Sequence, residues 1–165
     1  MPKVVQFSVG LDNSAGTLAR LCSMLHKAGV NIEAISVSDN TDCGWVRIIA
    51  TPAELAREAL DKDRYTVCAQ LVLAISLENQ PGVLGKLAAT LGKAGVNINY
   101  VYGSTPPGQA STLILGVSDV DAAMEAIGDT VDARRSEGSV ASHALRAAAK
   151  RRPKRTPKRI IRKKT

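Results

Sequence analysis

KAGVNI occupies residues 27–32 and occurs again at residues 93–98. Sliding the chain by 66 residues against itself places Leu11, Asn13, Gly16, Leu18, Leu21 and Leu25 on Leu77, Asn79, Gly82, Leu84, Leu87 and Leu91. Upstream, Val5, Phe7 and Val9 fall on Leu71, Leu73 and Ile75. The correspondence spans roughly 3–68 and 69–135. That period exceeds the ~20–50 residues of solenoid repeats, so a small domain has been duplicated.

Each copy reads element by element. In VVQFSVGLD, Val5, Phe7, Val9 and Leu11 alternate with Gln6, Ser8, Gly10 and Asp12. A period of two predicts a strand with its apolar face inward and its polar face outward. LVLAISLE repeats the pattern with Leu71, Leu73, Ile75 and Leu77 inward. The turn formers NSAG and NQPG follow, and each opens a helix. Leu18, Leu21, Cys22, Leu25 and Ala28 recur at helical spacing as one buried stripe, matched by Leu84, Leu87, Ala88, Leu91 and Ala94.

The hexapeptide is the joint between that helix and the next strand. Lys27 and Lys93 complement the negative end of a helix dipole. Gly29 and Gly95 can take the left-handed conformation that ends a helix. NIEAISVS and NINYVYGS then run on as strands. DNTDCG and TPPGQ are expected hairpin turns before GWVRIIA and ASTLILGV. Thr51-Pro52-Ala53-Glu54 has the pattern of an N-cap, a first-turn proline and a capping-box Glu. Ser118-Asp119-Val120-Asp121 opens the counterpart helix, and RYTVCAQ and DTVDARR are the expected closing strands. Each copy is therefore βαββαβ, an α+β, ferredoxin-like unit with an antiparallel four-stranded sheet and two helices on one face. Trp45, Ile49, Tyr100 and Tyr102 are the candidates to cover the other face. The expected division is 1–68, 69–136 and a tail at 137–165. A unit of this size is near the lower limit of independent stability, so the copies are expected to pack together and to form a homodimer.

The net charge of +7 is unevenly held. Residues 150–165 contain ten cations (Lys150, Arg151, Arg152, Lys154, Arg155, Lys158, Arg159, Arg162, Lys163 and Lys164) and no acid. Subtracting them leaves −3 for residues 1–149. Density of charge, Pro153 and Pro157 predict a disordered basic segment suited to nucleic acid or another polyanion, or a merely solubilising terminus. No apolar run is long enough to span a membrane, and MPKVVQFSVG lacks a secretory signal. Cys22, Cys43 and Cys68 are odd in number and not spaced as metal pairs. A cytoplasmic protein without metal or cofactor is the expectation. His26 and His143 are the only histidines, and no G-x-S-x-G, H-E-x-x-H or Walker motif occurs. Gly82-Val83-Leu84-Gly85-Lys86 superficially looks like a phosphate loop, but its Val and Leu belong to the helical stripe. Catalysis is not expected.

Over about 3–135 the sequence resembles the ACT domain family, small βαββαβ modules that bind amino acids. The family's turn, Asn-x-Pro-Gly, is met by Asn79-Gln80-Pro81-Gly82, while Asn13-Ser14-Ala15-Gly16 lacks the proline. The second turn is therefore the expected better site. ENQPGVLGKLAATLGKAGVNI is also similar to the serine-binding regulatory domain of phosphoglycerate dehydrogenase. That resemblance implies effector contacts from Asn13 and Asn79 and from Asn31 and Asn97. Where that domain has a His two residues before the turn Asn, this chain has Leu11 and Leu77.

The residues support such a site on their own chemistry. Gly16 and Gly82 sit where helix N–H groups favour a carboxylate and where a missing Cβ lets a ligand approach. Asp12 and Glu78 suit an ammonium, and Asn offers both donors and an acceptor. The same residues also fit a purely structural role: Asn13 and Asn79 as caps, Gly16 and Gly82 as turn residues, Asn31 and Asn97 as strand starts. The resemblance implies a stand-alone tandem ACT protein that senses an amino acid and regulates an enzyme, comparable in idea to the small subunit of acetolactate synthase. The alternative is a polyanion-associated protein with the repeats as its dimerisation scaffold.

Overall fold

The computed structural model describes residues 3–38, 43–104 and 110–128. The order is β1 (Lys3–Asp12), α1 (Thr17–Lys27), β2 (Asn31–Ser38), β3 (Cys43–Thr51), α2 (Ala53–Lys62), β4 (Thr66–Leu77), α3 (Val83–Lys93), β5 (Ile98–Ser104), β6 (Ser111–Val117) and α4 (Val120–Gly128). The expected hairpin tips, the closing strand DTVDARR and the basic tail lie outside the described residues.

The helix ends follow the sequence. Gly29 and Gly95 are left-handed, at φ 73° and 72°, and Val30 and Val96 N–H return to the carbonyls of Leu25 and Leu91 at 3.0 and 2.9 Å. These bonds satisfy last-turn carbonyls that the helix cannot. Asp119 accepts from the N–H of Asp121 and Ala122 at 2.9 and 3.0 Å, so it caps α4. The expected cap at Thr51 does not form. Thr51 is the last residue of β3, opposite Asn31, and α2 starts at Ala53 after Pro52.

The two expected four-stranded sheets are one. RYTVCAQ and LVLAISLE run together as the 12-residue β4, which pairs β1 through its first part and β6 through Leu73–Leu77. The strands form one antiparallel sheet in the order β2-β3-β1-β4-β6-β5. Without a turn former between Gln70 and Leu71, nothing interrupts the extended backbone.

Odd-numbered residues of β1 and β4 share a face, and all four described helices pack on it. Leu21, Leu25 and Leu60 cover Phe7, Val9 and Ile48, while Leu87, Leu91 and Ile127 cover Leu73, Ile75 and Leu115. Each fully buried side chain of this kind contributes about 1.5–3 kcal/mol. Val5 and Leu71, both expected inward, stand opposite one another in register yet are half-exposed. They fall in the seam between the two helix pairs, which the Lys3–Asp121 ion pair crosses.

The opposite face holds a third cluster of Ile49, Val72, Ala74 and Ile114 with Val4, Ala34, Tyr100 and Tyr102. No described helix covers it. The sheet curls instead, and residues of both edge strands, β2 and β5, line one cavity of about 350 Å³. Curling also buries Gln6, which alternation places on the solvent face but which is 0% exposed.

Candidate functional site

The β1–α1 turn of the first repeat lines a cavity of about 200 Å³. Leu11, Asp12, Asn13, Ser14, Thr17 and Leu18 supply one wall, and Val37, Ser38, Gly44 and Val46 the other. Register explains the second wall. β1 pairs β3 with Leu11 opposite Gly44, and β3 pairs β2 with Trp45 opposite Ser38. The end of β2 therefore arrives beside the turn that leaves β1.

Gly16 is the N-cap of α1 with φ 88°, a left-handed conformation that disfavours any side chain. It leaves the N-terminus of α1 without a side-chain acceptor from the capping residue. The Ser14 and Thr17 hydroxyls lie 2.8 Å apart, and Thr17 donates to the Ser14 carbonyl at 3.0 Å. Thr17 is buried for this reason, whereas Leu18, expected in the buried stripe, is 40% exposed and faces the cavity. Ser38 accepts from Arg47 Nη1 at 2.6 Å. Among the described residues, Asp12 is the one ionisable side chain in the lining.

The second turn repeats the backbone. Gly82 caps α3 with φ 86°, and Gln80 N–H returns to the Glu78 carbonyl as Ser14 N–H returns to Asp12. Its side chains differ: Gln80 and Val83 replace Ser14 and Thr17, and Gly103 stands at the repeat position of Val37. Because β1 and β4 are antiparallel, the two turns leave opposite ends of the sheet. Asp12, Asn13 and Gly16 thus gather at one end and Glu78, Asn79, Pro81 and Gly82 at the other.

The strand asparagines are not brought to the turn of their own repeat. β2 runs parallel to β1, so Asn31 and Ser38 lie at opposite ends of an 8-residue strand, roughly 25 Å long at ~3.3 Å per residue. Asn97 stands likewise at the far end of β5. Its N–H donates to Ser118 Oγ at 3.0 Å and its side chain to Asn99 Oδ1 at 2.8 Å. The ten tail cations lie outside the described residues.

The curled face carries a polar network that the alternation pattern did not indicate. Gln6 Nε2 donates to Tyr100 Oη at 2.7 Å, and Tyr102 Oη donates to Gln6 Oε1 at 3.1 Å. Gln70 also bonds Tyr100 Oη. Arg47 stacks over the Tyr100 ring, 4.4 Å from its centre. Burial pushes the Tyr102 hydroxyl up to about 12; Tyr100 adds to this and Arg47 opposes it. Tyr102 is therefore a neutral donor at any physiological pH. The network ties Gln6 of the first repeat to Tyr100 and Tyr102 of the second.

A larger hollow of about 640 Å³ lies between α1 and α2, lined by Arg20, Lys27, Lys62 and Asp63 among others. Lys27 and Lys62 stand in the last turns of their helices, where they offset the negative dipole ends. That role accounts for the charge there without a ligand.

Residues 2–132 match the family model for the ACT domain pair. The chain belongs to that family. No curated protein matches the sequence. Among solved structures, a protein from Bacteroides thetaiotaomicron is 28% identical, with a TM-score of 0.72 over 77% of this chain and 88% of the other. The ligand-free regulatory subunit of aspartate kinase from Thermus thermophilus is 17% identical, with a TM-score of 0.56 over 78% and 93%. The corresponding subunit from Thermus flavus, also 17% identical, gives 0.54 over 76% and 90%. These two share the fold of the ACT pair. Among the described residues no helix is long and apolar enough to cross a membrane.

Proposed function

We propose that this ACT pair is a non-catalytic regulatory module that binds a free amino acid at the β1–α1 turn. The observation that carries this reading is the first-turn cavity. It joins an anionic group, Asp12, to the first residues of α1, Thr17 and Leu18, and so offers complements to both ends of a zwitterion. Its volume of about 200 Å³ is below the roughly 300–1,000 Å³ of sites for drug-sized ligands, which favours a small metabolite. The likeness in fold to regulatory subunits of aspartate kinase agrees with such a role. In a homodimer, Asn31 or Asn97 of one copy could complete a turn of the other, and ligand binding would then favour the assembled state. The regulated target would be an enzyme of amino-acid metabolism in the cytoplasm.

The test is thermal unfolding of the full chain against each of the twenty amino acids at millimolar concentration. A ligand at 100 times its Kd stabilises by about 2.7 kcal/mol. At roughly 2–4 °C per kcal/mol, the Tm rises by about 5–11 °C. A flat response to all twenty refutes the reading.

The charge run at 150–165 favours a second role, contact with a polyanion. Binding to a DNA duplex should then weaken steeply between low and physiological salt and disappear when 150–165 are deleted. Amino-acid binding should survive the deletion.

A further inference from the structure

The first-turn cavity has a chemical bias that its polar rim conceals. Resting on the reading that a free amino acid occupies it, we propose that the ligand carries an aliphatic side chain. We further propose that Val37 sets that preference and that each chain holds one such site.

The lining divides by chemistry. The polar groups belong mainly to the turn, Asp12 to Thr17. Leu11, Leu18, Val37 and Val46 supply the apolar surface. Leu11 and Val46 belong to the core, at 7% and 2% exposure. Leu18 and Val37 do not: they remain 40% and 58% exposed. A ligand side chain lying between them removes apolar surface from water on both partners.

The hydroxyl groups of the lining are poorly placed to read a polar side chain. The Ser14 hydroxyl can donate to Thr17 Oγ1, and the Thr17 hydroxyl donates to the Ser14 carbonyl. Both hydroxyl protons are then consumed within the turn. The Ser38 oxygen is held by Arg47, leaving its proton for the ligand carboxylate. Among the described residues of the lining there is no Lys, Arg or His, so an acidic ligand side chain would meet no counter-charge from them and would lie near Asp12. A basic one would compete with the ligand's own ammonium for that carboxylate. An aliphatic side chain makes neither demand.

The second turn lacks this surface. Its counterpart of Val37 is Gly103, and an added Cβ there would come within 2.9 Å of the Leu113 backbone. A wall like Val37 cannot be built on that strand without moving β6.

Calorimetric titration of the full chain with valine, leucine, alanine, serine, aspartate and lysine tests the inference. One methylene in an apolar pocket changes affinity by roughly 10–200-fold. Valine or leucine should therefore bind at least tenfold more tightly than alanine or serine, at one site per chain. Val37→Ser, at a half-exposed position on an edge strand, should leave the Tm of the free protein within about 2 °C. It should weaken valine at least tenfold and serine less than twofold. Preference for serine, aspartate or lysine, or an unchanged valine affinity in Val37→Ser, overturns the aliphatic site while leaving amino-acid binding standing. Two equivalent sites per chain overturn its restriction to the first turn. Binding of none of the six, with a flat thermal response to all twenty, overturns the underlying reading.

Discussion

Gln6→Leu probes the tie between the repeats. Gln6 is 0% exposed, and its amide is bonded at both ends, to Tyr100 Oη at 2.7 Å and from Tyr102 Oη at 3.1 Å. Leucine fills a similar volume and offers neither bond. A neutral hydrogen bond contributes about 1 kcal/mol, and a buried partner left without one costs about 1–3 kcal/mol. Tyr100 keeps Gln70 as a partner, so the larger loss falls on Tyr102. The expected destabilisation is about 2 kcal/mol, or a fall of roughly 4–8 °C in Tm for a chain of this size. Urea unfolding followed by circular dichroism and by the fluorescence of Trp45, the only tryptophan, measures it. Coincident transitions justify a two-state treatment. The informative variant adds Tyr100→Phe and Tyr102→Phe to Gln6→Leu. Removing every partner leaves no orphaned hydroxyl, so the triple variant should be more stable than the single one. A loss below about 0.5 kcal/mol in Gln6→Leu, or a triple variant less stable than the single, would refute the network as the bond between repeats.

Two further outcomes follow from local geometry. Because Tyr102 titrates near 12 in the fold against 10.0 for the free group, the folded state holds its proton more tightly. Its contribution is fully present below pH 10 and is lost as pH rises toward 12. Stability should decline across that window, and Tyr102→Phe should reduce the slope; an unchanged slope assigns the decline to other groups. Gly16→Ala and Gly85→Ala should act in opposite directions, although neither new Cβ meets an atom within 4 Å. The first forces alanine to φ +88° and costs about 1–2 kcal/mol, whereas the second replaces glycine inside α3 and stabilises by about 0.5–1 kcal/mol. Denaturation curves of the same sign would reject this account of the two glycines.

The elements of the fold were largely legible because their signals are local. KAGVNI encodes a helix stop and a strand start within six residues, and the left-handed Gly29 and Gly95 form where the pattern places them. The alternation of Phe7, Val9 and Leu11 marks the helix-covered face for the same reason, since period two follows from the backbone. Even the turn glycines were readable, because a positive φ restricts the residue type at one position.

What lay beyond the sequence depends on how distant elements meet. Val37 and Ser38 reach the Asn13 turn only because the registers of β1, β3 and β2 bring the end of β2 there. Those same registers carry Asn31 and Asn97 away from the turns that share their repeat. Gln6 has the pattern of a solvent-facing residue, and nothing within its own strand says otherwise. It is buried because the sheet curls until Tyr100, 94 positions away, closes over it. Local propensity and periodicity thus determined the duplicated βαββαβ plan and its turns. Pairing register and sheet curvature, which arise only when many strands pack at once, decided what lines the cavity at the first turn.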